Sequence, residues 1–149
     1  MLKKIKLVRK HYFYVGASRT PVNPSIGSFI AGDKQKPEIY IRYTNSLYVK
    51  AVVMDDSKSA LAIVTIDCIE LLYTDVERIR DRVAAISQFP KERVMVSSHA
   101  SHSGPDVVGV WGSDYEHTGV DSVYMKSLIE SAALQVRKRC IDNRVRLLL

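Results

Sequence analysis

Two of the chain's four histidines, His99 and His102, lie three residues apart in the segment SSHASHSGPD, residues 97–106. Gly104 and Pro105 force a turn directly after them, so the side chains ahead of the turn can converge on one spot. Neutral imidazole is the commonest zinc ligand, and a carboxylate beside it fixes its tautomer. Asp67 and Asp106 are the carboxylates placed to act as ligands or supports. A zinc held there would polarise a carbonyl and lower the pKa of its bound water to about 7. The spacing also fits a plainer account, because His-x-x-His on a loop lacks the helical geometry of a zincin site. Ser97, Ser98, His99 and Ser101 can instead hydrogen-bond the loop backbone, with Gly104 and Pro105 an ordinary turn. Asp67 is the stronger lone residue: a carboxylate ending an apolar run must find a partner or a solvated cleft. Trp111 between Gly109 and Gly112 reads as a plug under a long loop, or as pocket lining. His11 and His117 sit among aromatic or polar loop residues and read as non-ligands.

The elements that must position these groups follow from patterning. Residues 12–17 read as a first short strand, and Pro21, Pro24 and Gly27 punctuate the loop after it. Residues 31–40 are polar, with Gly32 and Pro37, and read as irregular. LYVKAVVM (47–54) and ALAIVTI (60–66) read as two strands joined by the turn DDSKS, a hairpin. The second run is almost continuously apolar, which predicts a strand covered on both faces. Thr74 with Glu77 three residues later forms a capping-box signature, and Val76, Ile79, Val83 and Ile86 give a helix one apolar face. Pro90 ends that helix. RVMVSS (93–98) predicts a strand parallel to 60–66 through a right-handed crossover. A long loop, 99–119, precedes a last helix from near Asp121 to about Arg137, with Val123, Leu128, Ile129, Ala132 and Val136 inward. The fold class is therefore α/β, a mixed sheet with packed helices. Ligands of such sheets sit beyond the carboxyl ends of strands, where Asp67 and the His99 loop both lie.

Composition sets the outer limits. At 149 residues, 46% hydrophobic and 26% charged, the chain is one domain's worth of ordinary globular sequence. Two cysteines, Cys68 and Cys140, are too few for a disulfide scaffold. Cys68 reads as a small core residue rather than a reactive thiol. The net charge of +6 is carried by the ends: residues 1–10 hold +5, residues 137–149 hold +4, and the body between them is slightly acidic. A nucleic-acid binder displays its basic charge as a face or groove, so two basic ends support that function poorly. The basic start lacks the apolar stretch of a signal peptide and no run approaches ~18 apolar residues, so the expected location is cytoplasmic with no transmembrane segment. The expected organisation is a basic N-terminal segment at 1–11, an α/β domain at 12–138, and a basic tail at 139–149. That tail has no evident cap or partner and reads as outside the fold, a frameshifted ending being one origin for it.

The segment VSSHASHSGPD at 96–106, continuing VVGVWG to 112, resembles the N-terminal domain of the neutral/alkaline non-lysosomal ceramidases and their prokaryotic relatives. VGASR at 15–19 before a Pro-rich turn resembles that family's opening strand. Residues 47–56 and 60–72, with Asp67, resemble its strand–turn–strand leading into a helix, and TGVD at 118–121 fits before the last helix. The likeness covers about residues 12–138. It implies part of a larger catalytic domain and a zinc amidase that hydrolyses the N-acyl bond of ceramide to a fatty acid and a sphingoid base. Such proteins are often secreted or membrane-associated.

In that family His-x-His precedes Ser/Ala-Gly-Pro, the first histidine binding zinc and the second facing the substrate. Counted back from Gly104, His102 matches the second position and is the implied catalytic residue. The first position falls on Ala100, so His99 serves only if the loop bulges by one residue. The implied metal residues are therefore His99 and His102, with the choice between them open. Asp67, Asp106 and Gly104 are the implied substrate-binding or supporting residues. The family's other ligands, a His, a Glu and a Tyr, come from downstream segments of a domain several times longer.

Three functions remain to be separated. The first is an incomplete N-terminal portion of a lipid amidase, with little or no activity alone, since a catalytic zinc needs three protein ligands. The second is a non-catalytic remnant or interaction domain of the same fold. The third and weakest is a basic-tailed nucleic-acid binder. A sheet that is only part of a larger fold should leave an edge or a face uncovered, which predicts self-association.

Overall fold

The computed structural model describes residues 12–32, 38–42, 44–114, 116–137 and 145–148. Strands β1 (Tyr12–Pro21), β2 (Tyr48–Asp55), β3 (Ala60–Ile66), β4 (Val94–Ser98) and β5 (Val145–Leu148) form one mixed sheet in the order β4-β3-β2-β1-β5. Only β3 and β4 run parallel, and the connection between them carries α1 (Tyr73–Ser87) and a 3-10 turn (Lys91–Arg93). The second helix, α2 (Ser122–Leu134), follows the long loop and continues into a π-type turn at 135–137. The mixed α/β class and the parallel pairing of 60–66 with the strand after the first helix are as the patterning predicts.

Both helices pack on the same side of the sheet. The core there is built by alternate strand residues: Val49, Ala51 and Val53 of β2, Ala62, Val64 and Ile66 of β3, and Val94 of β4, all 2% exposed or less. Ile79 and Val83 of α1 and Leu128, Ala132 and Val136 from the α2 segment close it. Burying each larger aliphatic side chain contributes roughly 1.5–3 kcal/mol, so this one face holds the fold. Cys68 is fully buried just past β3 rather than within it. Burial, reinforced by Asp67 and Glu70, pushes its thiol up to about 12. It should therefore stay unmodified by a thiol-specific disulfide reagent at mildly alkaline pH until the protein unfolds. Modification of Cys68 in the native protein, located by mass spectrometry, would contradict this burial.

Several expectations are corrected. β1 runs through Pro21, four residues beyond the expected strand, because its whole length has β2 as partner up to the Pro21–Tyr48 pair. The capping box does not form: Leu72 is the N-cap residue, without a side-chain bond, and Thr74 lies inside the helix. Glu77 instead pairs with Arg80 at 2.7 Å. Pro90 does not itself end α1; Gln88 adopts a left-handed conformation and donates its N–H to the Ala84 carbonyl. Val123 faces outward, 73% exposed, while Tyr124 and Met125 turn inward. The N-terminus of α2 is instead fixed by Asp121, whose carboxylate accepts the Val123 and Tyr124 N–H groups. Within the tail, Val145–Leu148 pairs antiparallel with β1 and thus has a partner in the sheet. The basic segment 1–11 and residues 138–144, with Cys140, lie outside the described residues. Among the described residues β3 is covered on one face only, not on both as its apolar run predicts: Leu61 is 41% exposed although its neighbour Ala62 is fully buried.

Candidate functional site

Parallel pairing carries the two expected chemical residues to one place. Ile66 and Ser98 are the last partners of the β3–β4 ladder, so Asp67 and His99 leave the sheet side by side. The His99 Nδ1 lies 3.1 Å from Asp67 Oδ1. The same carboxylate receives Lys50 Nζ at 2.9 Å and the Tyr48 backbone N–H at 2.9 Å. Asp67 is mostly buried, with its side chain 15% exposed, whereas the His99 ring is 45% exposed. The His99–Asp67 contact is one of distance, an ion pair whenever the ring is protonated. A carboxylate beside an imidazole favours the tautomer with its proton on the near nitrogen, and Nε2 can then serve as a base or as a ligand.

The segment after His99 is shaped by backbone contacts. Ala100 has a left-handed φ of 55°, a conformation that costs an alanine about 1 kcal/mol. This kink lies within the three-residue spacing that separates the two histidines. The Ser101 N–H then donates to the Cys68 carbonyl at 3.0 Å. Gly104 lies against the strand end, where a Cβ would meet Cys68 Cα at 3.2 Å and the Asp67 carbonyl at 3.3 Å. Its role is thus close approach of the histidine loop to β3. From the other side, Ala31 donates to the Gly104 carbonyl, Asp106 donates to the Phe29 carbonyl, and the Tyr40 hydroxyl donates to the Ser103 carbonyl.

The other expected residues go elsewhere. His102 is exposed and lines a polar cavity of about 340 Å³ with Tyr40, Arg42, Asn45 and Ser46. Asp67 is not among the residues lining that cavity. Asp106 is 1% exposed and is committed to backbone. Its Oδ1 accepts from Val108 and Gly109, and its Oδ2 from Trp111 and Gly119. It organises the loop from within. Trp111 is buried, in keeping with a plug. His117 pairs with Asp114 at 2.6 Å on the surface, which together with the Glu116 N–H holds that carboxyl below its ordinary range. A cleft of about 550 Å³ between the starts of α1 and α2 is lined largely by Leu72, Val107, Val120, Met125 and Ile129 and holds no histidine.

Lys50 and Tyr48 escaped the reading of the sequence. The available signal was a cation inside the apolar alternation of β2; it pairs with Thr65 and reaches the carboxylate two residues further along the neighbouring strand.

A zinc site was tested against these donors. Among the described residues no three His, Cys, Asp or Glu side chains converge. His99 can offer one nitrogen, and Asp67 already accepts from the Tyr48 N–H and from Lys50. A catalytic zinc with three protein ligands does not fit this chain's described residues alone.

No family model matches the chain, and no curated protein matches it. Its fold does match solved structures. Neutral ceramidase from Pseudomonas aeruginosa superposes with a TM-score of 0.67 at 14% identity, covering 89% of this chain and 22% of that one. A ceramidase complexed with C2 gives 0.62 at 14% identity, covering 87% of this chain and 22% of that one. The chain therefore has the fold of part of a neutral ceramidase and spans about a fifth of those chains. Among the described residues, no helix is long and apolar enough to cross a membrane.

Proposed function

We propose that this chain forms one wall of an amide-hydrolysing site of the ceramidase type, acting on a lipid amide or a similar small molecule. On this reading it has little or no turnover alone. The observation that carries the proposal is the Asp67–His99 pair at the carboxyl ends of parallel strands, on a fold shared with neutral ceramidase. Lys50 and the Tyr48 N–H hold Asp67, Asp67 orients His99, and His99 presents Nε2 to whatever completes the site. Sequence likeness would make the completed site a zinc centre, with the missing donors supplied from outside the described residues. His102, facing its own polar cavity, would contact the substrate rather than share the metal.

The test is zinc addition to the purified chain, followed by long-range proton–nitrogen spectra of the imidazoles. His99 Nε2 should respond before His117, weakly, and the response should vanish in His99→Gln. A fluorescent N-acyl-sphingosine should not be hydrolysed above a metal-free blank. A response at His117 with none at His99 would remove the pair from the proposal. Stoichiometric tight zinc with metal-dependent turnover would show that the chain completes a site by itself.

A second reading, an interaction domain of the same fold, is favoured by one observation: half of the sheet face opposite the helices is apolar, and among the described residues no helix covers it.

A further inference from the structure

The register of the sheet defines that open face row by row. Val15, Met54 and Leu61 are aligned across three strands, and Ala17, Val52, Ile63 and Met95 across four. Val145 of β5 extends the first row, opposite Val15. These eight residues are all apolar. None is buried, whereas the alternate residues of β2 and β3 on the helix side are 2% exposed or less. Leu61, Met95 and Val145 are 41%, 53% and 63% exposed. No described helix covers them.

The next row changes character. Arg19, Lys50, Thr65 and Ser97 are aligned across the same four strands, with the Arg19 guanidinium 5.1 Å from the centre of the Tyr48 ring. Asp67 and His99 lie at the end of this polar half. At the far end of the strands, the β2–β3 turn carries Asp55 and Asp56. The Asp56 carboxyl is held below its ordinary range by the Lys58 and Ser59 N–H groups, so it remains anionic.

We infer that this open face is the docking surface for a second copy of the chain, packed sheet on sheet with its strands antiparallel to the first. The area is at the lower limit for a specific interface. Five strands at ~4.8 Å spacing and on average about seven residues at ~3.3 Å give roughly 450 Å² in plan per copy, about 900 Å² for the pair, against the ~1,000 Å² total of a specific interface. An apolar patch of several hundred Å² is otherwise a liability on a monomer. Charge selects the orientation. A two-fold axis along the strands would stack Arg19 and Lys50 on their own copies. An axis across the strands, through the two apolar rows, stacks apolar on apolar. It also brings the Asp55–Asp56 turn of each copy toward Arg19 and Lys50 of the other. Two aligned sheets about 10 Å apart then share a core. The dimer rests on the sheet's geometry and not on the amidase proposal.

Sedimentation equilibrium of the full chain at micromolar concentration should give twice the 16.8 kDa chain mass. Ile63→Lys should raise the dissociation constant at least ~100-fold, because it places a charge at the centre of the apolar rows. Its far-UV spectrum should be unchanged. Met95→Lys, at the exposed edge strand, reads the same interface should Ile63→Lys fail to fold. Val123→Lys, on the helix side, should leave the dimer intact. A monomeric wild-type chain would overturn the inference and assign the face to a different partner. A dimer that survives both lysine substitutions would also overturn it and point to pairing through a strand edge. Neither result bears on the His99 response to zinc, so the two proposals fail separately.

Discussion

Asp106→Ala should cost about 3–5 kcal/mol and loosen residues 107–119 while the sheet stays folded. Asp106 is a fully buried carboxylate whose two oxygens accept four backbone N–H groups within 3.2 Å, from Val108, Gly109, Trp111 and Gly119. Bonds to a charged acceptor contribute roughly 1.5–3 kcal/mol each, and each buried donor left unpaired costs about 1–3 kcal/mol. The four do not add in full, because a released loop lets water reach some of them. Total stability for a chain this size is about 5–15 kcal/mol, so the variant should still fold, with a melting temperature lower by roughly 10–15 °C. Hydrogen exchange should accelerate at the amides of 108–111 and 119 well beyond the change in β2 and β3. A loss below about 1 kcal/mol by denaturant titration would mean that Asp106 is not the organiser of this loop.

Gly119→Ala should be comparably damaging, for a steric reason. A Cβ on Gly119 would overlap the Trp111 carbonyl oxygen and lie 2.9 Å from Asp106 Oδ2. A Cβ on Gly112 would overlap the His117 carbonyl oxygen and lie 2.6 Å from its carbon. The two glycines let strands of the loop pass backbone to backbone, and backbone cannot swing aside as a side-chain tip can. The expected cost of either alanine is about 3 kcal/mol or more. Gly27→Ala is the informative control: its φ is 93° with nothing within 4 Å of an added Cβ. It should therefore lose only about 1–2 kcal/mol, from conformation alone. Equal losses at Gly27 and Gly119 would show that close approach is not what Gly119 provides. Asp106→Ala with Gly119→Ala should cost less than the two separately, because either one opens the same loop.

The parts legible beforehand were those encoded by period and punctuation. The two apolar runs 47–54 and 60–66 around the DDSKS turn marked the hairpin, and Val94–Ser98 lies parallel to β3 as expected. Asp67 stood out because a carboxylate ending an apolar strand needs partners, and it has three: Tyr48, Lys50 and His99. Local signals with competing readings fared worse. Thr74 and Glu77 have capping-box spacing, but the chain enters α1 two residues earlier, at Leu72, whose side chain cannot cap. Val123 fits an apolar period, yet the helix's orientation on the sheet buries Tyr124 and Met125 instead. Asp106 looked like a partner for the histidines because it is close in sequence. Five backbone N–H groups crowd around it, and an Asx-type turn claims a carboxylate before a distant imidazole can.

By itself the sequence determined an α/β domain with candidate chemical residues at the carboxyl ends of two strands, because side-chain periodicity and turn residues act over a few neighbours. Only the tertiary structure decided which residues share a site. His99 joins Asp67 because parallel register sets residues 32 apart beside each other, and Lys50 joins them across a second strand. His102 parts from His99 because Ala100 turns left-handed where the loop docks on β3. The continuous apolar run of β3 predicts cover on both faces, yet the described helices cover only one. That choice belongs to the helices, which pack on one side of the sheet and, among the described residues, leave the apolar residues of the other exposed or half-buried.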